Sequence, residues 1–146
     1  MARVQLALNV TDLDEAVVFY SKLFATPPTK RRPGYANFAV ADPPLKLVLI
    51  EAPGASGPLN HLGVEVESTT EVAAAQARLA DEGLHTTQEG EVTCCYALQD
   101  KVWVDGPGGQ PWEIYTVLTD APETPTERAN VEAGDGLCCV AAPVSA

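Results

Sequence analysis

The chain has 146 residues, about one domain at the usual ~150 residues per domain, enough to bury a core without disulfides and too few for a multi-domain enzyme. Nine Lys and Arg against twenty Asp and Glu leave a net charge of −11, so nucleic acid and anionic membrane surfaces are excluded as default partners. An apolar fraction of 46% argues against disorder throughout. No run approaches the ~18 apolar residues of a spanning helix. The first ten residues lack the basic-then-apolar layout of an export signal, so the chain reads as cytoplasmic.

In chain order, residues 5–10 alternate, with Leu6, Leu8 and Val10 on one face and Gln5, Ala7 and Asn9 on the other, which predicts a strand with one packed and one polar face. Asp12 and Glu15 have capping-box spacing and open a helix whose apolar series is Leu13, Val17, Tyr20 and Phe24. The basic cluster Lys30-Arg31-Arg32 reads as a solvated loop. Residues 35–40 and 45–50 are strand-like and are separated by the turn residues Asp42-Pro43-Pro44.

A shift of 56 positions then lays residues 61–66 over residues 5–10, placing His61, Gly63 and Glu65 on the second polar face. Ser68 and Glu71 repeat the capping box, Val72, Ala75 and Leu79 give the helical stripe, and Gly83 stands where a terminating glycine belongs. Strand-like segments follow at 85–92, 97–104 and 111–117, the last two joined through Asp105-Gly106-Pro107-Gly108-Gly109. The pattern is α+β: strand, helix and antiparallel strands, twice. One helix covers one sheet face only, so the two units must pair, and their polar faces should curve around a shared cavity. From residue 120 the periodicity dissolves, and 120–146 reads as a mobile tail. The single domain is therefore 1–119, made of modules 1–56 and 57–119.

Three donors occupy corresponding places. Gln5 and His61 match under the repeat, and Glu113 shares a face with Tyr115 on the last strand. An amide, an imidazole and a carboxylate on one side of an ion leave positions open for substrate and dioxygen, as in non-heme iron(II) oxygenases. The counterpart of Glu113 in the first module falls among Leu47, Val48, Leu49 and Ile50, so a closed four-ligand site is disfavoured. The four cysteines come as adjacent pairs, Cys94-Cys95 and Cys138-Cys139. Neighbours on a regular strand point to opposite faces, so for both sulfurs of Cys94-Cys95 to grip one soft centre the pair needs a loop, for which residues 89–93 supply flexible lead-in. Such a centre would be trivalent arsenic, antimony or cadmium; the alternative is that both are small buried hydrophobes. Tyr96, Trp103 and Tyr115 are more economically read as core than as site.

The doubled unit resembles the vicinal oxygen chelate superfamily, which includes glyoxalase I and the extradiol dioxygenases. Within it the chain looks like the carbon-arsenic lyases and the related cadmium-induced proteins. The match is carried by residues 4–10 and 19–24, Pro33-Gly34-Tyr35-Ala36, Pro43-Pro44-Leu45, His61-Leu62-Gly63, the run Thr93-Cys94-Cys95-Tyr96-Ala97-Leu98-Gln99-Asp100-Lys101, and Trp112-Glu113. The resemblance implies two paired βαβββ modules and an iron(II)-dependent dioxygenase that cleaves the carbon–arsenic bond of trivalent organoarsenicals, with dioxygen as co-substrate. It implies Gln5, His61 and Glu113 as metal ligands and Cys94 and Cys95 as the arsenical-binding pair. Residue 5 is His in some relatives, and a neutral amide oxygen is the poorer donor. Two other functions remain open: a redox-neutral metal enzyme of the glyoxalase I type, and a cadmium- or arsenic-binding protein without catalysis. The sequence also leaves open whether two chains pair as a homodimer.

Overall fold

The computed structural model of the protein describes residues 2–94 and 96–120. The first module comprises β1 (Arg3–Val10), α1 (Leu13–Leu23), β2 (Lys30–Arg32), β3 (Tyr35–Val40) and β4 (Leu45–Glu51). The second comprises β5 (Leu59–Glu65), α2 (Thr69–Asp81), β6 (Thr87–Cys94), β7 (Ala97–Asp105) and β8 (Pro111–Asp120). Both helices begin as their sequences require. Asp12 accepts a hydrogen bond from the Glu15 amide at 3.1 Å, and Ser68 Oγ accepts from the Glu71 amide at 3.2 Å. Gly83 has φ +82°, and the amides of Gly83 and Leu84 return to the carbonyls of Ala80 and Leu79, a Schellman closure of α2.

All the strands join one sheet of order β2-β3-β4-β1-β5-β8-β7-β6. Each module's first strand runs parallel to its last, β1 with β4 and β5 with β8. The modules meet through the antiparallel pair β1 and β5. There Gln5 faces Gly63 and Ala7 faces His61, so a local two-fold relates the first pair to the second, which is the 56-residue repeat in three dimensions. Past Ala7 the ladder slips, so that Leu8 faces Leu59 and Asn60 is left over as a bulge.

The two faces of β1 are used differently from the sequence expectation. Leu6, Leu8 and Val10 do pack toward α1, with Leu13, Val17, Phe38, Leu47 and Leu49. They are only partly buried, whereas Gln5 and Ala7 on the polar face are 3% and 0% exposed. The polar faces of both modules turn into the bend of the sheet, where neighbouring strands shield them more fully than a single helix shields the outer face. α2 covers the second module against β7 and β8 through the buried Val72 and Leu79.

Three local expectations are corrected. The basic cluster is not a solvated loop: Lys30–Arg32 is β2, because Lys30, Arg31 and Arg32 pair with Asn37, Ala36 and Tyr35. Arg31 meets Asp14 in an ion pair, and Lys30 Nζ donates to the Tyr96 carbonyl at 3.1 Å. Residues 89–93 are not a loop but part of β6, held by the hairpin with β7 and interrupted by an irregularity between Glu89 and Val92, where Glu91 has φ +50°. β8 runs to Asp120, one residue into the expected tail; the remainder, with Cys138 and Cys139, lies outside the described residues. No helix among the described residues is long and apolar enough to cross a membrane.

α1 ends without glycine. Ala25 follows the C-cap Phe24 with φ +50°, and the Thr26 amide closes on the Ser21 carbonyl at 3.1 Å. This left-handed conformation is unfavourable for a residue with a Cβ, by roughly 1–2 kcal/mol against right-handed backbone. Ala25→Gly is expected to stabilise the protein by about 0.5–1 kcal/mol, part of the strain relief being offset by glycine's greater freedom when unfolded. The check is a higher urea midpoint at unchanged slope.

Candidate metal centre

One row of ladder partners crosses the sheet from Lys46 on β4 to Gln5, Gly63, Glu113 and Trp103. Side chains on such a row share a face, so strands remote in sequence deliver Gln5 and Glu113 to one spot, and His61 reaches it diagonally from the next row. Gln5 Nε2 lies 3.1 Å from His61 Nε2 and donates to Glu113 Oε1 at 2.7 Å, and His61 Nε2 lies 3.4 Å from that same oxygen. The structure therefore brings together all three residues singled out from the sequence, with His61 1% and Glu113 2% exposed. Glycine at position 63 leaves room for Glu113 and Gln5, since an added Cβ would stand tightly against them, 3.0 Å from Glu113 Cγ and 3.1 Å from Gln5 Nε2.

The local two-fold places Val48, which faces Ala7 as Glu113 faces Gly63, at the position equivalent to Glu113. Val48 is apolar and 1% exposed, so the arrangement has one carboxylate side and one dry side. Among the described residues no three His, Cys, Asp or Glu side chains gather, because the third member of this set is an amide.

The donor set fits a divalent cation. His61 Nδ1 is 2.7 Å from Asn60 Oδ1, an oxygen that can only accept, so the ring proton sits on Nδ1 and Nε2 presents its lone pair. The bulge makes this possible by freeing Asn60 to reach its own neighbour, and Asn60 is anchored in turn on Asn9 Oδ1 at 3.0 Å. Gln5 Oε1 accepts from the Tyr115 hydroxyl at 2.6 Å. A phenol both donates and accepts, so Tyr115 can hold Gln5 with either end of the amide toward His61 and Glu113.

Charge is balanced within the buried face. Lys101 Nζ, with Lys101 0% exposed, donates to Glu113 Oε2 at 2.8 Å. Burial opposes ionisation of Glu113, yet the Lys101 ammonium beside it holds its carboxyl well below the usual carboxylate range. That leaves Oε1 directed at His61 and Gln5. Burial, reinforced by the charges of Glu65 and Glu113, pushes the Tyr115 phenol up, which keeps it protonated as a donor. Burial also lowers the pKa of Lys46, whose Nζ lies 5.2 Å from the centre of the Tyr115 ring.

Sequence reasoning missed Lys101 and Asn60, and it read Tyr115 as core alone, whereas the buried phenol also holds Gln5. Lys101 had a signal, as a lone cation alternating with Gln99 and Trp103 on a strand whose other positions are largely apolar; the Asn60 bulge had none. Cys94 is the last residue of β6 and its backbone faces Ala97, while Cys95 lies outside the described residues. A separate groove of about 440 Å³ opens at the end of β1 and the start of α1, lined by Asn9, Asp12, Glu15, Phe19 and Pro58 among others, and none of the three donors borders it.

The family profile described as the glyoxalase/bleomycin resistance protein/dioxygenase superfamily matches residues 3–114. The chain belongs to this superfamily. It is 58% identical over 142 residues to the cadmium-induced protein CadI of Mycobacterium tuberculosis, covering 95% of this chain and 93% of that one. It is 56% identical over 140 residues to the trivalent organoarsenical cleaving enzyme of Thermomonospora curvata, covering 95% and 89%. Among solved structures, homoprotocatechuate 2,3-dioxygenase of Arthrobacter globiformis superposes with a TM-score of 0.58 at 25% identity, over 85% of this chain and 38% of that one. The Mn(II)-bound glyoxalase of Novosphingobium aromaticivorans superposes with a TM-score of 0.59 at 17% identity, over 88% and 44%, which is a likeness of fold.

Two outcomes follow from the geometry. Asn60→Ala, which removes the acceptor that sets the His61 tautomer, is expected to weaken divalent-metal binding about 10- to 100-fold, measured by titration against a competing chelator. Lys101→Met in the metal-free protein leaves a buried carboxylate uncompensated and is expected to cost about 3–5 kcal/mol at neutral pH. Because the native Glu113 pKa is depressed, the stability it contributes is present above its unfolded value of about 4.3 and is lost as pH falls through the native one. The difference between wild type and Lys101→Met should therefore shrink on acidification, read from denaturant midpoints between neutral and acid pH.

Proposed function

We propose that the protein is an iron(II)-dependent dioxygenase that cleaves the carbon–arsenic bond of trivalent organoarsenicals, such as methylarsenite and reduced aromatic arsenicals, to arsenite. The observation that carries this reading is the buried convergence of Gln5, His61 and Glu113, with Val48 where a symmetric site would have a fourth donor. A half-open set of this kind suits a reaction in which substrate and dioxygen must both approach the metal. The 56% and 40% identity to enzymes named for cleaving trivalent organoarsenicals, from Thermomonospora curvata and Bacillus sp., supports the substrate class.

In this reading Gln5, His61 and Glu113 hold the metal, and Cys94 and Cys95 capture the arsenical, each thiol displacing one arsenic hydroxyl as water. Iron(II), when bound, supplies the electrons that make dioxygen reactive. The protein's own contribution is positional. Asn60 keeps His61 Nε2 unprotonated, Tyr115 orients Gln5, and Lys101 occupies one oxygen of Glu113 so that the other stays available. Holding two reactants in register contributes roughly 7–11 kcal/mol to barrier lowering in well-oriented systems.

The test is arsenite release from methylarsenite by purified protein, with and without iron(II), in air and under nitrogen. Release is expected only when iron(II) and air are both present; turnover under nitrogen would refute the dioxygenase assignment, and tight binding without product would favour sequestration. Cys94→Ser and Cys95→Ser should each abolish arsenical binding while leaving metal content unchanged, and His61→Ala should do the reverse.

A further inference from the structure

Trp103 is 8% exposed, and its indole N–H has no hydrogen-bond partner among the described residues. A buried donor left unpaired is costly and calls for a reason. Its place in the fold suggests one. Trp103 faces Glu113 across the β7–β8 ladder and stands edge-on to His61, with ring centroids 5.4 Å apart and an interplanar angle of 73°. The Lys101 ammonium, 5.5 Å from the Trp103 ring centre, is committed to Glu113, so the indole is an uncommitted donor beside the ligand set. Around it lie Ala7, Val48, Ile50 and Ala52 from the first module, with Tyr35. This wall is apolar and contains a single unpaired N–H.

We infer that Trp103 is a specificity-determining residue: the organic group of the substrate rests against this wall, and the indole N–H donates to an acceptor carried by that group. The inference rests on the proposed function and deepens it. It names as favoured substrates aryl arsenicals whose ring bears a hydrogen-bond acceptor, and it ranks them above the unsubstituted ring. An apolar wall alone could not make that distinction, because a ring with a polar substituent gains nothing from it.

The experiment uses Trp103→Phe, which keeps an aromatic ring and deletes the donor. Binding of phenylarsenite, 3-nitrophenylarsenite and 4-nitrophenylarsenite to the full-length wild type and variant is measured by equilibrium dialysis with arsenic analysis, without added iron, so that no turnover intervenes. The wild type is expected to bind at least one nitro compound more tightly than phenylarsenite. The variant should lose about five-fold on that compound, the worth of one neutral hydrogen bond, and stay within two-fold on phenylarsenite. The phenylarsenite arm shows that the variant is folded. Equal losses on both ligands, or no loss on either, would overturn the assignment of Trp103 while leaving the proposed function standing. Failure of the wild type to bind any of the three would overturn both.

Discussion

The antiparallel pairing of β1 with β5 is the constraint from which the rest follows. Each module alone has one helix and a four-stranded half-sheet, and so has one covered face and one bare, polar face. Joining the modules edge to edge along this ladder turns both bare faces into a common bend and removes Gln5, Ala7, His61 and Gly63 from water together. Burial on that scale demands partners for polar side chains, and Gln5, His61 and Glu113 find theirs in a connected set. Tyr115 donates to Gln5, Gln5 donates to Glu113, Lys101 neutralises Glu113, and Asn60 accepts from His61 Nδ1. Unlike the helix-covered face, this interior is polar, and its geometry is fixed by hydrogen bonds of defined length rather than by volume alone.

Much of this was legible in the chain. The repeat, the capping pairs Asp12/Glu15 and Ser68/Glu71, and the terminating Gly83 are local signals, and each acts within a few residues of where it is written. The face shared by Gln5 and Ala7 was also readable from alternation, and the match of Gln5 with His61 implied their proximity once the modules were taken to pair. What escaped depends on contacts between distant segments. Lys30–Arg32 looked like solvated charge because its partner, Tyr35–Val40, supplies the hydrogen bonds that make it a strand. The pairing of the modules around their polar faces was expected from the repeat, but how fully that face is buried, with Gln5 3% and Ala7 0% exposed, depends on strands from both modules. The slip that frees Asn60 is a property of register between two strands, and neither sequence announces it.

The asymmetry between the modules deserves equal weight with their symmetry. A duplicated unit offers two equivalent positions for each side chain, and this chain fills them unequally: Gln5 against His61, Ala7 against Gly63, Val48 against Glu113. Gly63 is small because Glu113 and Gln5 lie over it, and Ala7 is small beside the Trp103 wall. The two-fold supplies the position and the departures from it supply the chemistry, with one side charged and hydrogen-bonded and the other apolar.

The seam location of the three donors has a thermodynamic consequence. Gln5 comes from one module, and His61 and Glu113 from the other, so an ion that binds all three recognises only the docked arrangement. By mass action such an ion adds RT ln(1 + [L]/Kd) to the free energy of keeping the halves together, and the halves, once apart, cannot retain it with full affinity. Occupancy and cohesion are then one equilibrium seen from two ends, and the tightness of the seam sets how readily the ion is exchanged.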